Sequence, residues 1–463
     1  PSVERIQIGA EDVSSSVPDI ASESSPSAAA EDAAAESRAE SRAEPETAPA
    51  EPETLPGVKK LTDGYQFAET SYPSLSVLDD GKTLIGYKAD VESGPERLRL
   101  RRFDPTGALL GAEIEVAEVP ECLSMGRIST TAFPGGGFGA AWYAAWGSEC
   151  DSFDVLVQRF RPDGALNGER LQVDNWQARM PTTDGLLLDS GQAKPWIAAM
   201  SDGGFVVLWE GMGKGETKNG AYVRVFDDKG SPKGERVEVS TLTSADGYIQ
   251  TPLGSVLPNL AVFGDNTFGV TFEYLYHYDS GPGTYGQMFT ANGVRQGNPA
   301  QLLARQKTNA AALSLVSLER DGFVLVWTHT IPSLYTLDSD VHAQRFNPDG
   351  VPLGTQLTVN SYRDGVQGMQ SAAALARGGF VVVWFTNSSD GQSTDIAGQL
   401  FDRAGTASGR EFNVNGSTVT MPVVPPAIAG LPDGRYVVAW DGYDENQDSG
   451  IRIRFFPAPI LPF

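Results

Sequence analysis

A short apolar run recurs along the chain, each time behind a glycine-containing turn and ending on tryptophan. "DGGFVVLW" ends at Trp209, "RDGFVLVW" at Trp327, "RGGFVVVW" at Trp384 and "PDGRYVVAW" at Trp440. Trp142 holds the same place, and Tyr87 and Phe272 hold it in two weaker copies. Such a run lacks the polar alternation of a strand with one wet face, so it reads as a strand buried on both sides. The Asp-Gly or Gly-Gly before it supplies a tight hairpin turn, because glycine tolerates positive φ. Each marker is followed by a phenylalanine: Phe103, Phe160, Phe226, Phe289, Phe346, Phe401 and Phe455. The markers recur at roughly 55 to 67 residues, the range of strand-rich repeat arrays whose units bury their faces only against one another.

Four strands are legible in each copy. An alternating segment ("PSLSVLDD", "PWIAAMSD", "PAIAGLPD") is inner strand A. The apolar run is strand B, and a variable polar loop leads to strand C ("HAQRF", "AGQLF"). A turn ending in Gly107, Gly164, Gly230, Gly293, Gly350 or Gly405 then opens outer strand D. A second glycine stands four residues on (Gly111, Gly168, Gly234, Gly297, Gly354, Gly409), and an apolar residue five beyond that. Seven copies of four antiparallel strands predict an all-β, seven-bladed β-propeller, with six blades as the alternative because the first copy is the least regular. The expected blades are 71–119, 126–175, 194–241, 257–304, 309–361, 369–416 and 424–456. The seventh copy ends after strand C, and "GVKKLT" at 57–62 resembles a strand D. Residues 57–69 are therefore expected to close the ring and remove its free edges.

Residues 1–56 are a different material. They hold no aromatic residue and 13 acidic residues against Arg5, Arg38 and Arg42, a net of −10 out of −24 for the whole chain. Such a segment cannot bury enough apolar area to offset its ordering entropy, so it reads as a spacer or a docking arm, with "VERIQIG" as the stretch suited to docking as a strand. The acidic balance excludes nucleic acid as a partner, since phosphate binding needs a basic face. No apolar run is long enough to span a bilayer, so a membrane tether would need a lipid anchor outside this sequence.

The pattern "DGGFVVVW … QRFDxxGxxxGxxxxV" over residues 57–463 resembles the repeat of exported bacterial surface proteins, and the acidic spacer resembles those of exported lipoproteins. The resemblance implies a propeller in the periplasm, at the cell surface or outside the cell. For activity it is silent, because propellers host binding, scaffolding and catalysis alike.

In a propeller the B–C loops and D–A connections share one face, and here they are the long ones. Aromatic residues expected on that loop face over blades 2 to 4 are Tyr143, Trp146, Trp176, Tyr248, Tyr274, Tyr276 and Tyr278, residue types suited to protein interfaces and to stacking on sugars. Packing that holds the long loops down is the alternative use for them. Cys122 and Cys150 flank strands A and B of blade 2 at neighbouring ends, so they are expected to form a disulfide. Loops rich in Asp, Asn and Gly offer Asp390, Asp395, Asp441, Asp444 and Asp448 as calcium ligands, against the alternative of solvated turn chemistry. No other cofactor is expected. The three histidines, His277, His329 and His342, form no metal motif, and no nucleophile elbow or phosphate loop is present. These features give the expectation of a non-catalytic protein-interaction module or structural subunit of an exported assembly. The alternative is a carbohydrate-binding module or a glycan-active propeller enzyme, which would use paired carboxylates on the same face.

Overall fold

The computed structural model describes residues 59–61, 73–91, 94–118, 128–146, 152–173, 195–212, 219–240, 242–243, 249–250, 258–274, 283–304, 310–318, 322–332, 337–387, 394–416, 419–420, 424–443 and 449–460. All belong to the unit Thr54–Phe463. The expectations for the acidic segment 1–56 lie outside the described residues.

The fold is a seven-bladed propeller of four-stranded antiparallel blades. From the channel outward, blade 1 is Ser74–Val77, Thr83–Val91, Gly94–Phe103 and Ile114–Glu118. Blade 2 is Ile128–Ala132, Phe138–Trp146, Ser152–Phe160 and Leu171–Gln172. Blade 3 is Trp196–Ala199, Phe205–Met212, Asn219–Phe226 and Val237–Glu238. Blade 4 is Asn259–Val262, Phe268–Tyr274, Gly283–Phe289 and Arg295–Ala304. Blade 5 is Ala310–Ser317, Phe323–Pro332, Leu337–Phe346 and Pro352–Thr358. Blade 6 is Gln367–Ala374, Phe380–Asn387, Thr394–Phe401 and Ala407–Asn413. Blade 7 is Ala427–Gly430, Tyr436–Tyr443, Ser449–Phe456 and, from the other end of the chain, Lys59–Lys60.

The B strands carry the core. Phe380 to Trp384 are all buried, with alternate residues packed on the two neighbouring blades. A strand C phenylalanine stacks on the first residue of strand B in six blades, as in Phe380 on Phe401 at 4.8 Å between centroids. These pairs add about 0.5–1.5 kcal/mol each beyond burial.

The polar repeat residues have structural uses too. In the Gln-containing strand C, the amide of Gln344 donates to the Arg345 carbonyl at 2.9 Å and to the Leu353 carbonyl at 3.2 Å, fastening strand D. Gln158, Gln287 and Gln399 do the same in their blades. In three blades the residue before the strand C phenylalanine is an arginine that reaches across the seam into the C–D turn of the next blade. Arg102 donates to the Pro162 carbonyl at 2.7 Å, Arg159 to that of Asp228 at 2.6 Å and Arg345 to that of Ala404 at 2.8 Å. The turn glycine is obligatory there. Gly164 has φ +92°, and a Cβ would lie 2.8 Å from Ile114 and 3.0 Å from Arg102. Around the channel, inner-strand hydroxyls accept from the next inner strand, as Thr131 does from the Ala199 amide at 2.9 Å.

At the ring's closure Lys59 pairs with Ile453 and Lys60 with Arg452. The Leu61 amide extends the ladder to the Ile451 carbonyl at 2.8 Å, and the Leu61 side chain is buried in the seam between blades 7 and 1. Lys59 Nζ donates to the Gly107 carbonyl at 2.7 Å, and Arg435 donates to the Pro105 carbonyl of the same C–D turn.

The inner strands of blades 6 and 7 depart from the expected boundaries. Blade 6 begins at Gln367, and a bulge between Gly368 and Ser371 lets the strand run on past Met369, which has φ 48°. In blade 7 an added pair, Val419–Thr420, occupies the loop-face end of the same edge of strand B as Ala427–Gly430. An interrupted strand of this kind has no alternating sequence to mark it.

Candidate functional site

The residue after each marker aromatic lies on the loop-face end of strand B and faces the following blade. In four of the seven blades it is a charged residue type: Lys88, Glu210, Glu273 and Asp441. Lys88, Glu210 and Glu273 are buried, at 2%, 7% and 6% exposure. A charged side chain at such a depth must be paired or hydrogen-bonded, so these places are held for a reason other than packing. The signal was present in the sequence as a polar residue closing a hydrophobic run.

Blades 4 and 5 add the most chemistry to this arrangement. Gly269 and Thr271 of blade 4 line a crevice of about 90 Å³ together with Leu315 and Phe323 of blade 5. The two-residue alternation of strand B places Glu273 on that same face. From the other side Trp327 packs into the seam, and His329 follows it on the same face of blade 5. Strand pairing sets Trp327 opposite His342 and His329 opposite Asp340. The two imidazole rings lie 5.3 Å apart, and His342 sits 5.8 Å from the Trp327 ring. One seam thus gathers a carboxylate from blade 4 with two of the chain's three histidines and a buried aspartate from blade 5.

Their environments differ. His342 is 9% exposed, while His329 is half-buried. Burial pushes the His342 imidazole below the usual histidine range, and His329 beside it acts in the same direction. Its Nδ1 lies 3.3 Å from the Leu357 carbonyl. A proton on Nδ1 satisfies that carbonyl and leaves Nε2 as an acceptor. Asp340 is fixed on both oxygens: Asn360 Nδ2 donates to Oδ1 at 2.7 Å, and Arg363 donates to Oδ2 at 3.2 Å. A neutral imidazole beside a second, more accessible one, backed by an anchored carboxylate, can accept and return a proton.

The loop-face residues expected from the sequence fare differently. Tyr143, expected among exposed aromatics, is buried between blades 2 and 3, and its hydroxyl donates to the Glu210 carbonyl at 2.9 Å. It is the residue after a marker, so the alternation turns it inward, and burial pushes its hydroxyl well above the usual tyrosine range. Trp146 and Tyr274 end their B strands, with side chains outside the described residues. Trp176, Tyr248, Tyr276, Tyr278, Cys122, Cys150, Asp390, Asp444 and Asp448 also lie outside them, as does His277. Asp395 and Asp441, expected in calcium-binding loops, stand in strands instead. Asp395 accepts from Asn415 Nδ2 at 3.4 Å, repeating the Asp340–Asn360 pair one blade on. Among the described residues no group of three His, Cys, Asp or Glu is placed to hold a metal ion, and no helix is long and apolar enough to cross a membrane.

No family model matches the chain, and no curated protein sequence matches it. Solved structures match it over most of its length at low identity. An ulvan lyase, described as a polysaccharide lyase of a new family, aligns at TM-score 0.52 and 10% identity, covering 87% of this chain and 95% of that one. A protein of unknown function from Dyadobacter fermentans aligns at 0.49 and 12%, covering 88% and 100%. An α-L-arabinofuranosidase from Fusarium graminearum aligns at 0.49 and 10%, covering 87% and 97%. This corrects the expectation of a non-catalytic module or structural subunit. A propeller of this fold is a polysaccharide lyase, so neither the architecture nor the lack of a familiar motif is a ground for excluding catalysis.

Proposed function

We propose that the chain is a glycan-active enzyme whose reaction site is the loop-face end of the seam between blades 4 and 5. The observation that carries this reading is the His329–His342 pair, backed by Asp340 and facing the blade that bears Glu273. Opening a glycosidic bond, by hydrolysis or by elimination, needs one group to take a proton and another to give one. In this reading His329, the more exposed ring, exchanges a proton with substrate. His342 serves as its neutral hydrogen-bond partner, and Asp340 holds strand C in place behind them. Glu273 supplies the carboxylate across the seam. The ulvan lyase, named for a polysaccharide substrate, supports the substrate class. The resemblance of the repeat and the acidic spacer to exported proteins supports a setting outside the cytoplasm, where polysaccharides are met.

The test is an assay of the full chain against a panel of polysaccharides, read both as new reducing ends and as the ultraviolet absorbance of an unsaturated uronate. The first signal without the second marks hydrolysis, and both together mark elimination. Replacing His329 by Ala or Glu273 by Gln is expected to cut the rate by roughly 10²–10⁴-fold, the contribution of general acid–base catalysis. Glycan binding without turnover, unaffected by these substitutions, would make the chain a carbohydrate-binding module. Neither binding nor turnover on any glycan would end the reading.

A further inference from the structure

The connection from blade 5 to blade 6, residues 360–366, stands beside the candidate site and is unusually well tied. Asn360 Nδ2 donates to the Tyr362 carbonyl at 2.8 Å. The Ser339 amide donates to the Gly365 carbonyl at 3.2 Å and the Asn387 amide to that of Val366 at 3.1 Å. Gln367 Nε2 donates to the Asp364 carbonyl at 3.3 Å, and the Gly365 amide donates to Asp338 Oδ1 at 3.3 Å. The backbone is thus held from blades 5 and 6 at once. Two large side chains on it are nevertheless turned outward. Tyr362 is 38% exposed, and it is the one aromatic among the large exposed hydrophobic residues described. The Arg363 side chain is 56% exposed and spends one of its five donors on Asp340, the residue paired with His329.

An aromatic ring and a guanidinium displayed on a rigid loop cost burial and add little to folding. A tyrosine face packs on the apolar face of a pyranose, and an arginine fork matches a carboxylate or sulfate. We infer that this connection is a sugar-binding platform on which Tyr362 stacks against a pyranose ring and Arg363 grips that sugar's acidic group. The substrate class is then an acidic polysaccharide, and the inference rests on the function proposed above. The chain's net charge of −24 opposes a polyanion at long range. That field is screened beyond roughly 8–10 Å at physiological salt, so recognition falls to this direct contact.

The experiment is affinity electrophoresis of the full chain through gels containing polygalacturonate, a sulfated carrageenan or neutral arabinan, with reducing-end assays on the same three. Charge alone cannot retain an acidic protein in an acidic gel. The expected result is retardation and cleavage with one or both acidic polymers, and which of them responds tells carboxylate from sulfate. Y362A and R363A should each weaken retardation and raise KM by about tenfold or more, with kcat and the melting temperature little changed in Y362A; R363A also releases Asp340 Oδ2 and is therefore read by retardation and KM alone. Arabinan retained or cleaved while the acidic polymers are not, or an R363A chain that behaves as wild type, overturns the platform and leaves the enzyme reading standing. No response to any of the three polymers and no turnover on the wider panel removes both.

Discussion

The turn "RGGF" holds two glycines with nearly the same backbone and opposite tolerance for a side chain. Gly378 has φ +88° and Gly379 φ +81°, both left-handed. A Cβ on Gly378 would find its nearest neighbour, Arg403, at 3.7 Å, which is ordinary contact. A Cβ on Gly379 would lie 2.2 Å from the Phe401 carbonyl oxygen, inside the B–C ladder where Phe380 pairs with Phe401. G378A therefore bears only the left-handed penalty of about 1–2 kcal/mol, offset by about 0.4–1 kcal/mol from a stiffer unfolded chain. A net loss of about 1 kcal/mol is expected. G379A bears the same terms plus about 1–3 kcal/mol of overpacking, so about 2–4 kcal/mol in all. The cost has a ceiling, because Lys82, Thr267 and Arg435 stand at this place in blades 1, 4 and 7 and the turn can relax toward their form. Urea unfolding of both variants, followed by tryptophan fluorescence, measures the difference from midpoints at a common slope. Equal midpoints for the two variants would refute the argument from close approach.

Three further outcomes follow from the same structure. A chain beginning at Asp63 loses Leu61 and the Lys59–Lys60 strand and leaves the outer edge of Ser449–Phe456 open; it should self-associate in light scattering, where a chain beginning at Gly57 stays monodisperse. The folded-state pKa of His342 is depressed, so its contribution to stability is present above the ordinary histidine value of about 6.5 and is lost as pH falls through the lower folded value; wild type should lose stability relative to H342N between pH 7 and pH 5, and parallel curves would contradict this. Q344A strands the Arg345 and Leu353 carbonyls that Gln344 now satisfies, and should cost about 1–3 kcal/mol by urea unfolding without altering glycan binding.

The blades were legible because their physics is repeated: a doubly buried strand and a glycine turn return in every copy, and an aromatic pair in every copy but the first. The interrupted inner edges of blades 6 and 7 were not, since Gln367–Gly368 and Val419–Thr420 take their places through pairing with strand B rather than through their own alternation. The candidate site was half visible. The charged residues that follow four of the markers can be read from the sequence, and Tyr143 was misplaced because that same register turns it inward. His329 and His342 stand thirteen positions apart, with a loop between them, and nothing in that spacing announces contact. It takes the pairing of Trp327 with His342 to bring the two rings together.

The closing strand also bears on how the chain reaches its native state. Six blades are each built from one continuous stretch of sequence and can assemble in the order in which they are made. The seventh needs Lys59–Lys60 beside Arg452 and Ile453, a contact that spans nearly the whole chain and cannot form until its last strand exists. Completion of the ring is therefore the late, topologically slow event. Until then blade 7 carries a bare strand edge, and the seam between blades 7 and 1 is where a misfolded or strand-swapped population would originate. The same seam is where a tension applied between the two ends would first open the disc.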